Sequence, residues 1–155
     1  MFWLIETKEQ LNKLYNSGFE EAFVELIPYN NKAHPIQNNI CGVYLKPLDS
    51  HKGYFINVDH PEALFLDVNE VKKVLEKFKT LYVRDKKEFL HYFFIKNLID
   101  ITFPPNPYIH PTPTPAHSFF YQKYKNRKDI NKIIPISKHY EWAQAIFLSG
   151  ENNIN

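Results

Sequence analysis

An α/β fold, in which helices flank a mixed sheet, is predicted by the order and spacing of the apolar residues. Three strand-like runs follow one another and indicate an antiparallel meander, after which strands and helices alternate. The helices are marked by polar capping residues and by apolar residues three or four positions apart. Of the 155 residues, 44% are hydrophobic and 16% are aromatic, which is enough for one sizeable core. We therefore interpret residues 1–155 as a single domain.

The first half of the chain supplies most of the predicted sheet. Residues 2–5 form a short apolar run that suits an edge strand. The segment TKEQLNKLYNSG predicts a helix, because Thr7 and Gln10 have the spacing of a capping box and Gly18 can end the helix. Three further strands are predicted at residues 21–29, 39–47 and 53–58.

The second half alternates helices with short strands. Asp67 with Glu70, and Asp85 with Glu88, have the capping-box spacing and each mark a helix start. In the first of these helices, the residues expected to face the core are Val68, Val71, Val74, Leu75 and Phe78. Strands are predicted at residues 80–83 and 97–103, and helices at 67–79, 85–93, 118–126 and 135–150.

A proline-rich segment, residues 104–117, interrupts this alternation. It carries six of the eleven prolines. Proline lacks the amide hydrogen that a helix interior or a central strand requires. We interpret the segment as an extended connector within the domain.

Composition excludes several classes of function. The net charge of +2 does not by itself indicate nucleic-acid binding. The single cysteine, Cys41, cannot form an internal disulfide or a multi-cysteine zinc site, and we expect a buried, inert thiol. The seven histidines show neither HExxH nor zinc spacing, so no metal site is predicted from them. No apolar run approaches the ~18 residues of a membrane span, and no signal peptide is evident. We therefore expect a cytoplasmic protein without a membrane partner.

Carboxylates are the remaining candidates for chemistry. Two-metal phosphoryl transfer requires about four of them, around ions ~3.5–4 Å apart. Glu25 lies between Val24 and Leu26 in a strand, so it points away from both, either to solvent or into a site. The other acidic residues at strand ends and helix starts are Asp59, Asp67, Asp85 and Asp100, of which Asp67 and Asp85 are already explained as helix caps.

Four segments together resemble the 3′–5′ exonuclease domain of family A DNA polymerases. They are GYFINVDHPE (53–62), VKKVLEKFKTLYVRDKKEFLHYF (71–93), NLIDITF (97–103) and NKIIPISKHYEWAQAIF (131–147). The proposed match extends over roughly residues 20–149. It implies a mixed five-stranded ribonuclease H-like sheet flanked by helices, and a place in DNA replication.

The resemblance also implies where catalytic carboxylates would stand. The family has an Asp-x-Glu pair on the first core strand, where this chain has Phe23 and Glu25. The next motif has an Asn and, four residues later, an Asp, where this chain has Asp85 and Phe89. Asp100 falls on the strand that follows.

The last motif of the family is a Tyr followed four residues later by an Asp. Here Tyr140 is present and Gln144 takes the Asp position. Three of four metal-binding carboxylates are therefore replaced, and a phenyl ring or a neutral amide cannot substitute for the anionic oxygens that Mg²⁺ requires. The resemblance thus implies an exonuclease-like domain without catalytic residues or cofactor, although an amphipathic packing helix explains Tyr140 equally well.

Basic and aromatic residues could still contact single-stranded DNA. Phosphates pair with basic side chains and bases stack on aromatic rings. The residues expected to do so are Arg84, Lys86, Lys87, Tyr121, Lys123, Tyr124, Lys125, Lys138 and Tyr140. The alternative for these residues is a solvated surface with tyrosines that pack in the core.

The interpretation that follows is a catalytically inactive domain that binds single-stranded DNA or supports a polymerase domain, in the same chain or in another. One alternative is an active nuclease that uses Mg²⁺ or Mn²⁺ with rearranged carboxylates, Glu25 and Asp100 among them. Another is a protein-interaction module that uses the proline-rich segment, in which case a ribonuclease H-like sheet is not expected.

Overall fold

The computed structural model describes residues 2–30, 39–101 and 119–150, and of residues 120, 121 and 148–150 it describes the backbone alone. The predicted connector 104–117 lies outside the described residues. The strands are β1 (Trp3–Ile5), β2 (Glu21–Pro28), β3 (Ile40–Pro47), β4 (Tyr54–Asn57), β5 (Thr80–Val83) and β6 (Leu98–Asp100). The helices are α1 (Lys8–Tyr15), α2 (Val68–Lys77), α3 (Lys86–Tyr92), α4 (Phe119–Tyr124), α5 (Ile130–Ile133) and α6 (Ile136–Gly150).

The strands form one mixed sheet in the order β1-β4-β3-β2-β5-β6. It has six strands, one more than the resemblance implied, and the additional strand lies in the apolar run at residues 2–5 that predicted an edge strand. The sixth strand is β1, which pairs in parallel with β4 from Trp3 opposite Tyr54 to Ile5 opposite Ile56. The other five comprise the predicted meander, β2 to β4, and the two short strands β5 and β6, which continue the sheet in parallel beside β2.

Both faces of the sheet are covered by helices, and alternate residues of β2 divide between them. Ala22, Val24 and Leu26 belong to the core that includes residues of α1, α2 and α3. Phe23 belongs to the opposite core, where it meets Ala143 and Phe147 of α6. β2 is therefore buried on both faces and hydrogen-bonded along both edges, which makes it the central strand of the domain.

The helix starts follow the sequence closely. Thr7 and Gln10 form the complete capping box at α1. Asp67 and Asp85 cap α2 and α3 by accepting hydrogen bonds from backbone amides. The side chains of the predicted box partners have other contacts, because Glu70 pairs with Lys73 and Glu88 pairs with Arg84.

Two details of the helices differ from the prediction. Val68 is 39% exposed, whereas Val71, Val74, Leu75 and Phe78 are buried as expected. Val68 is the first residue of α2. The short helix α5 was not predicted, because its four residues are too few to show an amphipathic period. No helix within the described ranges has the length and apolarity needed to cross a bilayer.

Two buried imidazoles anchor the segment that contains α5 and α6. His60 donates from Nε2 to the carbonyl of Ile134 at 2.8 Å, since its Nδ1 accepts from the amide of Glu62. His139 Nε2 lies 2.7 Å from the carbonyl of Asn131 and donates to it. Both histidines are 1% exposed, and their ring centroids are 6.1 Å apart. Burial is the main cause that lowers the pKa of His139 to about 4; the hydrogen bond to Asn131 opposes this shift, and the neighbouring His60 adds a smaller lowering.

Acid should therefore weaken the fold through His139. Its pKa in the folded state lies below the usual 6.5, so the unfolded chain binds a proton more readily, and the stability that neutral burial provides above pH 6.5 is lost as the pH falls towards 4. Between pH 7.5 and pH 5 we expect the free energy of unfolding to fall by about 2 kcal/mol from this residue. Urea unfolding across this range measures the effect.

The control is His139→Gln, whose amide retains the donor to Asn131 but cannot take up a proton. The variant should lose less stability between the same two pH values. Equal losses in the two proteins would assign the acid sensitivity to other groups.

Candidate functional site

The candidate site lies where β2 and β5 run side by side. The parallel register places Phe23 beside Tyr82. Glu25 lies two residues after Phe23 in β2, and Arg84 directly follows the end of β5. Arg84 Nε is 3.0 Å from Glu25 Oε2, and Nη2 is 3.4 Å from Oε1, so the guanidinium holds the carboxylate through two hydrogen bonds. The side chain of Glu25 is only 14% exposed and that of Arg84 27%.

The first turn of α3 adds more carboxylates to this place. Glu88 Oε2 lies 3.5 Å from Arg84 Nη2. Asp85 accepts from the amide of Glu88 at 3.1 Å, and Asp100 accepts from the amide of Lys86 at 2.5 Å. We refer to Glu25, Arg84, Asp85 and Glu88 as the Arg84 cluster. Three of its four residues carry negative charge around a single guanidinium.

The Arg84 cluster perturbs the protonation of its own members. Burial raises the pKa of Glu25, and the neighbouring Arg84 charge opposes part of that rise. The Glu25 carboxylate raises the pKa of Arg84, so the guanidinium stays charged. A fixed positive charge therefore lies in a partly buried position beside β2.

The side chains at the positions that the resemblance aligned with catalytic aspartates make other contacts. Phe23 packs against Phe147 with a centroid distance of 4.8 Å. Phe89 is buried in the core on the other face of the sheet, away from Phe23. On α6, Gln144 Oε1 is buried and has no hydrogen-bond partner among the described residues.

Tyr140 serves as a packing residue of α6. It is 5% exposed, and its ring stacks on Phe2 at 4.7 Å. Its hydroxyl accepts a hydrogen bond from the amide of Gly53 at 3.0 Å. The face that carries Tyr140, Ala143 and Phe147 is thus directed into the core, and Tyr140 cannot stack on a base in this conformation.

These residues do not fit a two-metal site. At the four aligned positions the side chains are Phe23, Glu25, Phe89 and Gln144, which supply one carboxylate, and Arg84 already binds it. In the part of the chain that the structure describes, no group of three or more His, Cys, Asp or Glu side chains is arranged to hold a metal ion. Asp85 and Asp100 are used at the N-terminus of α3, where they bind backbone amides.

The architecture is similar to that of several solved nuclease domains. RNase D of Escherichia coli, an exoribonuclease involved in structured RNA processing, matches with a TM-score of 0.56 and 14% identity, over 96% of this chain and 42% of RNase D. The catalytic core of RRP6 from Trypanosoma brucei matches with a TM-score of 0.59 and 13% identity, over 99% of this chain and 46% of that core. The Nibbler EXO domain of Aedes aegypti matches with a TM-score of 0.50 and 10% identity, over 99% of this chain and 84% of that domain.

The fold is ribonuclease H-like. The predicted fold class is confirmed, and with it the expectation of an exonuclease-like architecture. The chain spans less than half the length of RNase D and of the RRP6 core. No protein-family model matches the sequence, and no curated protein matches it either.

The basic residues named from the sequence have different surroundings. Arg84 is engaged by Glu25, and Lys138 pairs with Glu141 at 3.2 Å. Lys87, Lys123 and Lys125 are exposed, and Lys86 is partly buried. Tyr124 is half-buried against α5, with Lys123 Nζ 5.3 Å from its ring centroid. The side chain of Tyr121 lies outside the described part of the chain.

Sequence reasoning missed Glu88 as a member of the site. The motif comparison directed attention to Phe89, but neighbouring residues on a helix point about 100° apart. Phe89 enters the core, so Glu88 faces Arg84. The signal available in the sequence was the i, i+4 spacing of Arg84 and Glu88, which suits an ion pair.

The pairing of Glu25 with Arg84 should dominate the stability of this region. Arg84→Met leaves a largely buried carboxylate without its cation, and we expect a loss of about 2 kcal/mol, less than for a fully buried pair because both groups touch solvent. Glu25→Gln combined with Arg84→Met should cost less than the sum of the single changes by about 1 kcal/mol. Chemical unfolding of the four proteins gives this coupling.

Lys138→Met provides the matched control, because it removes one cation from an exposed pair with Glu141. Its cost should stay within about 0.5 kcal/mol. If Arg84→Met and Lys138→Met have equal effects, the Arg84 pair adds no more than an ordinary surface ion pair.

Proposed function

We propose that this protein is a catalytically inactive exonuclease-like domain that binds single-stranded nucleic acid and supports a DNA polymerase domain, in the same chain or in another. The observation that carries the proposal is the Glu25–Arg84 pair. The one carboxylate left at the aligned positions is neutralised by a guanidinium from the adjacent strand. Hydrolysis by two metal ions would require this carboxylate to be available as a metal ligand, with further carboxylates beside it.

The packing of α6 also supports loss of cleavage. Phe23 and Phe147 fill the space on the β2 face next to Glu25, and Tyr140 is held by Phe2 and Gly53. A substrate strand would have to displace these contacts to reach Glu25. The active-nuclease alternative is not favoured, because the carboxylates that it would recruit, Asp85 and Asp100, already bind amides of α3.

A basic surface around α4 supports binding to a nucleic acid. Residues 101–128 contain no Asp or Glu. Lys123, Lys125 and Lys128 are exposed there, and they follow the exposed ring of Phe119. Basic groups beside an exposed aromatic ring suit a single strand, since phosphates pair with the lysines and a base can stack on the ring.

The role beside a polymerase rests on the four sequence segments described above. The solved structures of similar fold include an RNA-processing enzyme, RNase D. RNA and DNA strands therefore both belong in the test.

The test combines binding and cleavage on labelled single-stranded DNA and RNA. We expect fluorescence anisotropy to show binding that weakens with salt, while gels show no shortening of either strand with Mg²⁺ or Mn²⁺ present. The variant Lys123→Glu/Lys125→Glu/Lys128→Glu should bind at least about tenfold more weakly, and its salt dependence should fall by about 2 in log–log slope.

The matched control is Lys8→Glu/Lys13→Glu/Lys73→Glu, which makes the same change in net charge on exposed residues of α1 and α2. If both triple variants weaken binding of the labelled strands equally, the binding reflects net charge alone and not the surface around α4. Metal-dependent shortening that Glu25→Gln abolishes would contradict the proposal. Co-elution with a family A polymerase domain from the same source would support the scaffolding role, and separate elution would contradict it.

A further inference from the structure

Large apolar side chains are exposed next to one another between β4 and α2. Leu64 and Phe65 are 62% and 59% exposed, and Val68 at the start of α2 is exposed as well. We refer to residues 60–68 as the 60–68 segment. Apolar side chains that are exposed as a group, and not singly, are typical of a surface that binds another protein.

The backbone of the 60–68 segment is fixed from inside the protein. Asn57 is fully buried, and its Nδ2 donates to the carbonyls of His60 and Leu64 at 3.0 and 2.8 Å. Its Oδ1 accepts from the amide of His60 at 2.8 Å, and its carbonyl accepts from the amide of Leu66 at 3.2 Å. The exposed apolar side chains are therefore presented by an ordered backbone, which lowers the entropic cost of binding a partner.

The 60–68 segment is acidic as well as apolar. Residues 59–71 contain four Asp or Glu residues and no Lys or Arg. Glu62 and Asp67 are exposed on either side of the apolar pair. An apolar centre with a polar rim is the usual anatomy of a protein interface. Carboxylates in that rim favour a partner whose own rim is basic.

The basic surface around α4 has the complementary charge and borders the same part of the molecule. Residues 119–128 contain no Asp or Glu. Tyr124 of α4 packs against Ile134, whose carbonyl accepts the hydrogen bond from His60. The acidic and the basic surface are thus both attached to the chain at Ile134. The exposed lysines of the basic surface are Lys123, Lys125 and Lys128.

We propose that two copies of this chain form a dimer in which the 60–68 segment of each copy docks on the basic surface around α4 of the other. A molecule that carries two complementary surfaces beside each other can pair with a second copy about a two-fold axis, so that each contact is made twice. The lysines then face Glu62 and Asp67, while Leu64 and Phe65 are removed from water. This association does not depend on the proposed function.

Sedimentation velocity from about 5 to 500 µM protein tests the dimer. We expect a weak association, because interfaces that bury less than ~1,200 Å² are usually transient. The sedimentation coefficient should rise with concentration in about 50 mM salt and rise less in about 500 mM salt, where charges are screened. Leu64→Ser/Phe65→Ser should stay monomeric. Phe94→Ser is the matched control, because it removes an exposed ring outside the 60–68 segment and should associate like the unaltered protein.

An exchange of charges tests which surfaces meet. Glu62→Lys/Asp67→Asn retains a side chain that can cap α2, since Asn is as good a cap as Asp. This variant alone, and Lys123→Glu/Lys125→Glu/Lys128→Glu alone, should each associate at least about tenfold more weakly, because the attraction is lost in both contacts. An equimolar mixture of the two variants should form dimers again. One contact of the mixed pair is the native one, and the other has its charges reversed.

The outcomes separate this proposal from the proposed function. A protein that stays monomeric up to 500 µM would contradict the dimer, as would equal effects of Phe94→Ser and Leu64→Ser/Phe65→Ser. If the mixture of charge variants does not associate, the two surfaces do not meet as proposed. Anisotropy on labelled strands, measured at protein concentrations below those of dimerisation, decides nucleic-acid binding independently of all these results.

Discussion

The burial of β2 is the constraint on which the rest of the structure depends. It pairs with β3 on one edge and β5 on the other, and its alternate side chains enter two separate cores. A charged residue in such a strand must find a partner, because a carboxylate removed from water without a counter-charge is costly. Glu25 finds that partner in Arg84, and the position of Arg84 in turn sets the surroundings of α3.

The same arrangement separates the contacts that maintain the fold from the charge at Glu25. The fold is maintained by apolar contacts on both faces of the sheet, such as Val24 on one side and Phe23 on the other. These contacts do not depend on the charge at Glu25. The apolar contacts and the ion pair therefore involve different side chains of one strand, so the ion pair can be altered while the apolar contacts are kept.

Much of the fold could be predicted from local signals. Capping residues such as Thr7 and Asp85 mark helix starts, because the capping signal lies within four consecutive residues. The apolar runs of β2 and β3 are long enough to be recognised as strands. β1 was predicted from its apolar run despite having only three residues, whereas the four residues of α5 are too few to show a helical pattern.

The candidate site was harder to predict because it is made by distant residues. Glu25 and Arg84 are 59 positions apart and meet only through the parallel register of β2 and β5. The motif comparison led to Glu25, but it could not show that Glu88, and not Phe89, contacts Arg84. The rotation of α3 decides that point, and it depends on how the helix packs in the core.

Gly53 links the two ends of the described chain. Its carbonyl accepts from the amide of Trp3, and its amide donates to the hydroxyl of Tyr140. A Cβ at this position would lie 2.8 Å from the Tyr140 ring, so only glycine allows this close approach. Phe2 stacks directly on the same tyrosine. One backbone position therefore couples the edge of the sheet to α6, so a side chain introduced at Gly53 would disturb the pairing of β1 and the packing of Tyr140 together.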